Sequence, residues 1–359
     1  MTLYCRQVSE ERSNGDACVN VTPPHQHPRS GVQLKYNNKM NKERKKIIAN
    51  NEVSNLYTLN LGGYKQKVLV EGKSKTLPVV ICLHGGPGTP IPFSVGCRGL
   101  FPEFTDQFIM VYWDQLGCGA NNYKIDDSFT VDMFVAMTKD LIIEIKRLFP
   151  ENDLYMFATS WGSVLSVKVL QEMPNAIKGV VVYGQIVKNL FYNQEVFDAL
   201  SQTKISAKKL EIIKNTNIDN ITTKDLMLVS GSIRKYTNGY ENRKANNKEQ
   251  VGKIIVGMLT SPDYRTKDFI AVMVNGYLKN VSLWRELLHM DLSSALSSIT
   301  VPYAIIQGDT DIVTPTNTVL EATKTNPAIT CQVIPNSGHY PSKPAMDAVV
   351  AALQNMVGK

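Results

Sequence analysis

Six short runs of apolar and β-branched residues recur along the chain with helical patterns between them, and this alternation constrains the fold more than any other feature. The runs are LPVVICLH (77–84), FIMVYWD (108–114), DLYMFA (153–158), GVVVYG (179–184), PYAIIQG (302–308) and TCQVIP (330–335). Their near-continuous hydrophobicity predicts strands covered on both faces, as in a parallel sheet. Between them, TVDMFVAMTKDLIIEIKRLF repeats apolar residues at three- and four-residue steps behind a capping Thr130. GSVLSVKVLQEM follows the third run, and PAMDAVVAALQNMV closes the sequence. Strand–helix alternation with right-handed crossovers predicts an α/β fold built on a mostly parallel, doubly wound sheet. Ahead of it, LYTLNL and KQKVLVEG flank Gly62-Gly63 and read as a hairpin.

The alternation breaks over 186–297, where QEVFDALSQ, AKKLEIIK, NKEQVGKIIVGML and FIAVMVNGYLKNVSLWRELL are helical in pattern and no clear strand run occurs. An insertion at that point is expected to form a helical lid over the carboxyl edge of the sheet, where open α/β sheets bind ligands. The core then comprises 51–185 and 298–359. Residues 1–50 are polar, basic and proline-bearing and read as a mostly disordered extension, although Met40 begins a segment more like a domain start. Within it, His25 and His27 form an H-x-H pair, a weak metal signal, and no metal or other cofactor is expected.

Composition narrows the function classes. No window approaches the roughly 18 uninterrupted apolar residues of a membrane span, and charge in MTLYCRQVSEERSNGD argues against a secretory leader. Six cysteines without CxxC spacing fit free thiols in a reducing cytoplasm. A net charge of +7 with no RNA- or DNA-binding motif beside it argues against a nucleic-acid partner.

FATSWGSV (157–164) carries the chemistry. Ser160 follows a strand and precedes a helix, flanked by the small Ala158 and Gly162. A nucleophilic serine on a tight strand-to-helix turn needs small residues at those two places, and glycine is usual at the first. A serine nucleophile also needs a base, an acid and an oxyanion hole. LHGGPG (83–88) follows an earlier strand, and its Gly86 N–H together with that of Trp161 is the expected oxyanion hole. QGDTDIVTP (307–315) ends a strand and offers Asp311 as the acid, with Asp309 as a lesser alternative. PNSGHYP (335–341) places His339 on the loop after the last strand, the only histidine beyond the acid. Ser, Asp and His in that order, each after a strand, predict a charge-oriented nucleophile that works through an acyl-enzyme.

HGGPG, YWDQLGCG (112–119), TSWGS, GDTD and SGHYP together resemble the prolyl-iminopeptidase-type serine hydrolases of the α/β-hydrolase fold, over about residues 55–357. The resemblance implies removal of N-terminal residues, often proline, from short peptides without a metal. The group also contains esterases, amidases and lactone-cleaving relatives. Leu116 and Asn121 depart from the group's usual arginine and serine in the second motif, and the tryptophan–glutamate lid motif that holds a substrate ammonium is missing. Glu195 is the nearest carboxylate to serve instead, while Tyr183 and Gln185, with Phe191 and Tyr192, are expected to line a substrate pocket. Residues 201–285 carry 15 Lys and Arg against 7 Asp and Glu, a balance that would repel a cationic terminus. The sequence therefore leaves two substrate classes open, short peptides or amides and small neutral or acidic esters or lactones, beside a binding module that has lost catalysis.

Overall fold

The computed structural model describes residues 40–241, 248–274 and 280–358. Expectations for residues 1–39, His25 and His27 included, lie outside the described residues. Eight strands form one sheet in the order β1-β2-β4-β3-β5-β6-β7-β8. The hairpin supplies β1 (Val53–Leu61) and β2 (Tyr64–Gly72), turned by Gly62 and Gly63, both at positive φ. β3 (Val79–Leu83), β4 (Ile109–Trp113), β5 (Leu154–Thr159), β6 (Gly179–Tyr183), β7 (Tyr303–Gly308) and β8 (Ile329–Ile334) are mutually parallel, and β2 joins β4 antiparallel.

Side chains alternate between the two faces of the sheet. Ile81, Met156, Val180 and Ile305 pack toward α2 (Val131–Leu148) and α3 (Trp161–Glu172). Cys82, Phe157, Val181 and Ile306 pack toward the helix that closes the chain, Lys343–Val357. β3 to β7 are buried along their whole length, as both-face coverage requires. β8 departs from that expectation: it is the edge strand, and its residues from Ile329 to Val333 are partly or fully exposed, with only Ile334 buried.

A second difference lies at the start. Residues 42–50, expected to be irregular, form helix α1 (Lys42–Asn50). Asn41 caps it by accepting from the Arg44 N–H at 2.8 Å. The anchor is a buried cation: the Arg44 guanidinium donates to the carbonyls of Gly96, Arg98 and Gly257. A helix held by one arginine shows no apolar period in its sequence.

Between β6 and β7 the described residues contain helices and no strand: α4 (Gln194–Ser201), α5 (Ala207–Lys214), α6 (Thr223–Tyr236), α7 (Lys248–Leu259), α8 (Thr266–Val274) and α9 (Val281–His289), with a further short helix at Ser293–Ser297. No described helix is long and apolar enough to cross a membrane. The core closes with α10 (Thr316–Thr323) and α11 (Lys343–Val357). Because β3 to β8 run parallel, the segments that follow them all emerge at one edge, where Ser160, Asp311, His339 and the glycine loop lie.

Candidate active site

Ser160 sits between β5 and α3 at φ 48°, ψ −116°, a left-handed conformation rare for a residue with a side chain. Such strain costs on the order of 1–3 kcal/mol and persists only where the surroundings enforce it. Here the Ser160 N–H donates to Tyr183 O at 2.9 Å. A Cβ on Gly162 would lie 2.0 Å from Leu83 O, so α3 starts pressed against the end of β3 and only glycine fits. Ala158 is fully buried within β5, where its methyl group is accommodated.

His339 reaches the serine from the opposite side. Its Nε2 lies 2.9 Å from Ser160 Oγ and its Nδ1 lies 2.8 Å from Asp311 Oδ2. The carboxylate accepts the Nδ1–H, so Nε2 presents its lone pair to the serine hydroxyl. Asp311 is fixed in turn: its Oδ1 accepts from the Val313 and Thr314 N–H groups, and its Oδ2 accepts from Thr314 Oγ1 at 2.8 Å. Asp309 is exposed and accepts instead from the Ser337 N–H at 3.1 Å, turning the loop that carries His339.

Three supports of this loop carry no motif in the sequence. His339 and Tyr340 donate their N–H groups to Gly239 O and Tyr240 O, so the chain after α6 pairs with the histidine loop. The Tyr240 ring stands edge-on to the imidazole at 5.9 Å. Gly184, at φ 70°, lies beneath the histidine, and a Cβ there would meet the imidazole Cε1 and Nδ1 at 3.3 Å.

The glycine loop comes close to the serine: a Cβ on Gly85 would lie 3.3 Å from Ser160 Cβ. Gly86, at φ 123°, has no room for a side chain, since a Cβ would lie 2.5 Å from Gly88 N. Trp161 is the first residue of α3, so its N–H is one of the donors a helix start leaves unpaired. Behind the loop stands a buried polar cluster. Gln115 donates its N–H to His84 Nε2 at 2.9 Å, and His84 Nδ1 lies 2.8 Å from Gly85 O. Burial pushes the His84 imidazole down to about 4, so it is neutral at physiological pH, with its proton on Nδ1. Asp114 is fully buried, and burial raises its pKa against the pull of its donors Tyr264, Ala120, Val95 and Ser94. Tyr264 comes from the insertion, just ahead of α8, and its hydroxyl donates to Asp114. No group of three His, Cys, Asp or Glu side chains placed to hold a metal occurs among the described residues.

The expected substrate contacts are placed differently. Tyr183 is 1% exposed, and its hydroxyl bonds Ser337 Oγ and Gly338 O, so it supports the histidine loop. Gln185 is wholly buried and bonds Tyr303 and Ile186 O. Tyr183 is the last residue of β6, and Gln185 follows it just beyond Gly184, so both side chains are enclosed where β6 ends. Phe191 is buried against Trp284. Glu195 is half-buried at the start of α4 and accepts from Asn317 Nδ2 at 3.3 Å; burial raises its pKa, Asn317 lowers it and Asp311 raises it. No described hydrogen bond links Glu195 to Ser160 or His339.

This sheet order, with its strand-to-helix serine and its strand-end loops, defines a hydrolase of the α/β-hydrolase class. Residues 78–343 match the family described as alpha/beta hydrolase fold, and the chain belongs to that family. It is similar to the "Probable aminopeptidase YbaC" of Bacillus subtilis, with 25% identity over 264 residues, 72% of this chain and 81% of that protein. It is also similar to a proline iminopeptidase of Xylella fastidiosa, with 25% identity over 306 residues, 78% of this chain and 89% of that protein. Among solved structures, a proline iminopeptidase from Mycobacterium smegmatis superposes with a TM-score of 0.55 at 16% identity, covering 85% of this chain and 99% of that one, a likeness of fold.

Proposed function

We propose that the protein is a serine hydrolase in which Ser160 attacks a carbonyl, His339 is the general base and acid, and Asp311 orients the imidazole. The carrying observation is the continuous line of hydrogen bonds from Asp311 Oδ2 through both imidazole nitrogens to Ser160 Oγ. As Ser160 Oγ bonds to the carbonyl carbon, its proton passes to Nε2, and the imidazolium is stabilised by Asp311. The carbonyl oxygen becomes an oxyanion held by the Gly86 and Trp161 N–H groups, a donor of this kind being worth roughly 3 kcal/mol in the transition state. Nε2 then returns the proton to the leaving nitrogen or oxygen, leaving an acyl group on Ser160. Water, deprotonated by the same nitrogen, releases it.

For the substrate, the names of the relatives support short peptides or amides with a free N-terminus, in the manner of a proline iminopeptidase. A second reading, hydrolysis of a small neutral or acidic ester or lactone, is favoured by the state of the insertion's carboxylates. Asp263 is paired with Arg98, Asp268 with Arg265, and Glu286 accepts the Val131 N–H that starts α2. Asp263 and Asp268 are thus already neutralised by arginines, and Glu286 is committed to a helix start through one of its oxygens.

N-acetylation separates the two. Rates on Pro-p-nitroanilide, its N-acetyl derivative and p-nitrophenyl acetate should show the free anilide cleaved and the acetylated one spared. Equal turnover of both anilides, or of the ester alone, would move the assignment to the second reading.

A further inference from the structure

The two N–H groups that would hold the oxyanion belong to chain segments 84–88 and 160–162, which are joined by no direct backbone ladder at their tips. They must converge on one oxygen, and misplacement of even a fraction of an ångström weakens both. Among the described residues, the Gln115 side chain spans the two segments with hydrogen bonds to both. Gln115 Oε1 accepts from the Trp161 indole Nε1–H at 2.7 Å, and its Nε2 donates to His84 O at 3.3 Å. The orientation of the amide is not free, because the indole can only donate. The Gln115 main chain repeats the connection through its N–H on His84 Nε2. His84 then hands the restraint to Gly85 through Nδ1, one residue before the proposed donor.

Gln115 is wholly buried. Burying an amide is unfavourable unless its bonds are made, and an apolar residue of similar length would fill the same space. What an apolar residue lacks is direction. The length of the glutamine side chain sets the separation between the indole of Trp161 and the carbonyl of His84. The edge-on contact of Trp161 with Phe134 at 5.8 Å further restrains the indole.

We propose that Gln115 is a positioning residue that fixes the spacing between the Gly86 and Trp161 N–H groups, and so the strength of the oxyanion hole. This rests on the assignment of Ser160 as nucleophile. Gln115 touches no substrate atom. Its effect reaches the reaction through Trp161 and His84.

The test uses the full chain, with active sites counted by stoichiometric labelling with a fluorophosphonate. Gln115→Met removes both side-chain bonds, Trp161→Phe removes the indole donor while leaving the main-chain N–H, and the double variant combines them. Per labelled site, Gln115→Met should lower kcat about 10- to 100-fold with KM changed less than about twofold. Affinity for a boronate transition-state analogue should fall in parallel, and the pH midpoint of kcat/KM, set by His339, should stay in place. The double variant should be little worse than either single one, because both cut the same link. Unchanged kcat and boronate affinity per labelled site in Gln115→Met, or losses that multiply in the double variant, would overturn the inference. Should Gln115→Met fail to fold, Trp161→Phe carries the test through the same kcat and boronate readouts. Failure of the wild type to take up the fluorophosphonate would instead overturn the Ser160 assignment itself.

Discussion

Replacing Asp311 by asparagine tests the orientation of His339 with almost no change of shape. The amide can sit in two ways. With Nδ2 in the place of Oδ1 it would confront the Val313 and Thr314 N–H groups at 2.9 and 3.0 Å, donor against donor. Leaving two buried N–H groups unpaired costs about 1–3 kcal/mol each. With Nδ2 in the place of Oδ2, the backbone bonds survive, Thr314 Oγ1 can rotate to accept, and the amide donates to His339 Nδ1 at 2.8 Å; only the long 3.3 Å bond from Gln307 Nε2 is lost, and that group keeps its 2.7 Å bond to Thr314 O. The second arrangement wins. It forces the imidazole proton onto Nε2, where it points at Ser160 Oγ, so the histidine can no longer take the serine proton. A wrong-tautomer histidine lowers kcat by about 10⁴-fold, roughly 5 kcal/mol of barrier. The assay is kcat on whichever chromogenic ester or anilide the wild type turns over, with circular dichroism as a check on folding. Asp309→Asn is the control, since Asp309 serves only the loop through Ser337. A folded Asp311→Asn variant within tenfold of wild type, or a larger loss in Asp309→Asn, would refute the reasoning.

Gly184→Ala should place a methyl group 3.3 Å from the imidazole at a backbone position with φ 70°. The expected loss in kcat is on the order of tenfold, a share of the ~10²-fold that a 1 Å misplacement can cost; an unaltered kcat would mean that His339 yields without consequence. Tyr264→Phe removes a donor from the fully buried Asp114 and should lower stability by about 1–3 kcal/mol in urea unfolding, with no such loss pointing to a water in its place. Glu71 is buried beside Arg98 and Asp263, and burial pushes its carboxyl from 4.5 up to about 6 against the Gly99 N–H. The folded state therefore holds this proton more tightly than the unfolded chain. Stability from this group is full below pH 4.5 and is lost as pH rises through 6, a change of about 2 kcal/mol. Glu71→Gln should remove that slope, gaining on wild type as pH rises from 4.5 to 7; parallel unfolding curves across that range would contradict the shift.

The reach of the sequence follows from how parallel sheets work. Once the apolar runs are recognised as parallel strands, whatever follows each run emerges at the same edge, so Ser160, Asp311 and His339 could be grouped without knowing any distance. Register is a different matter. Tyr183 pairs with Thr159 at the very end of β5, close to the serine in space, yet its side chain turns beneath the histidine loop. The polar pair Asp114-Gln115 was visible as a motif after an apolar strand, but nothing local tells that one member holds Tyr264 and the other Trp161, 150 and 46 residues away. Arg44 is the same kind of case. Its partners are backbone carbonyls, which every residue has, so no complementary charge marks them in the sequence.

The central claim, that Ser160 is the nucleophile, is tested most directly by covalent labelling. The protein would be treated with a fluorophosphonate, mapped by peptide mass spectrometry, and assayed beside Ser160→Ala on p-nitrophenyl esters and amino-acid p-nitroanilides. The expected result is one adduct, on the peptide containing Ser160, with hydrolysis falling in step with labelling and absent in Ser160→Ala. Hydrolysis that survives in Ser160→Ala, or an adduct on another residue that accounts for the loss of activity, would contradict it.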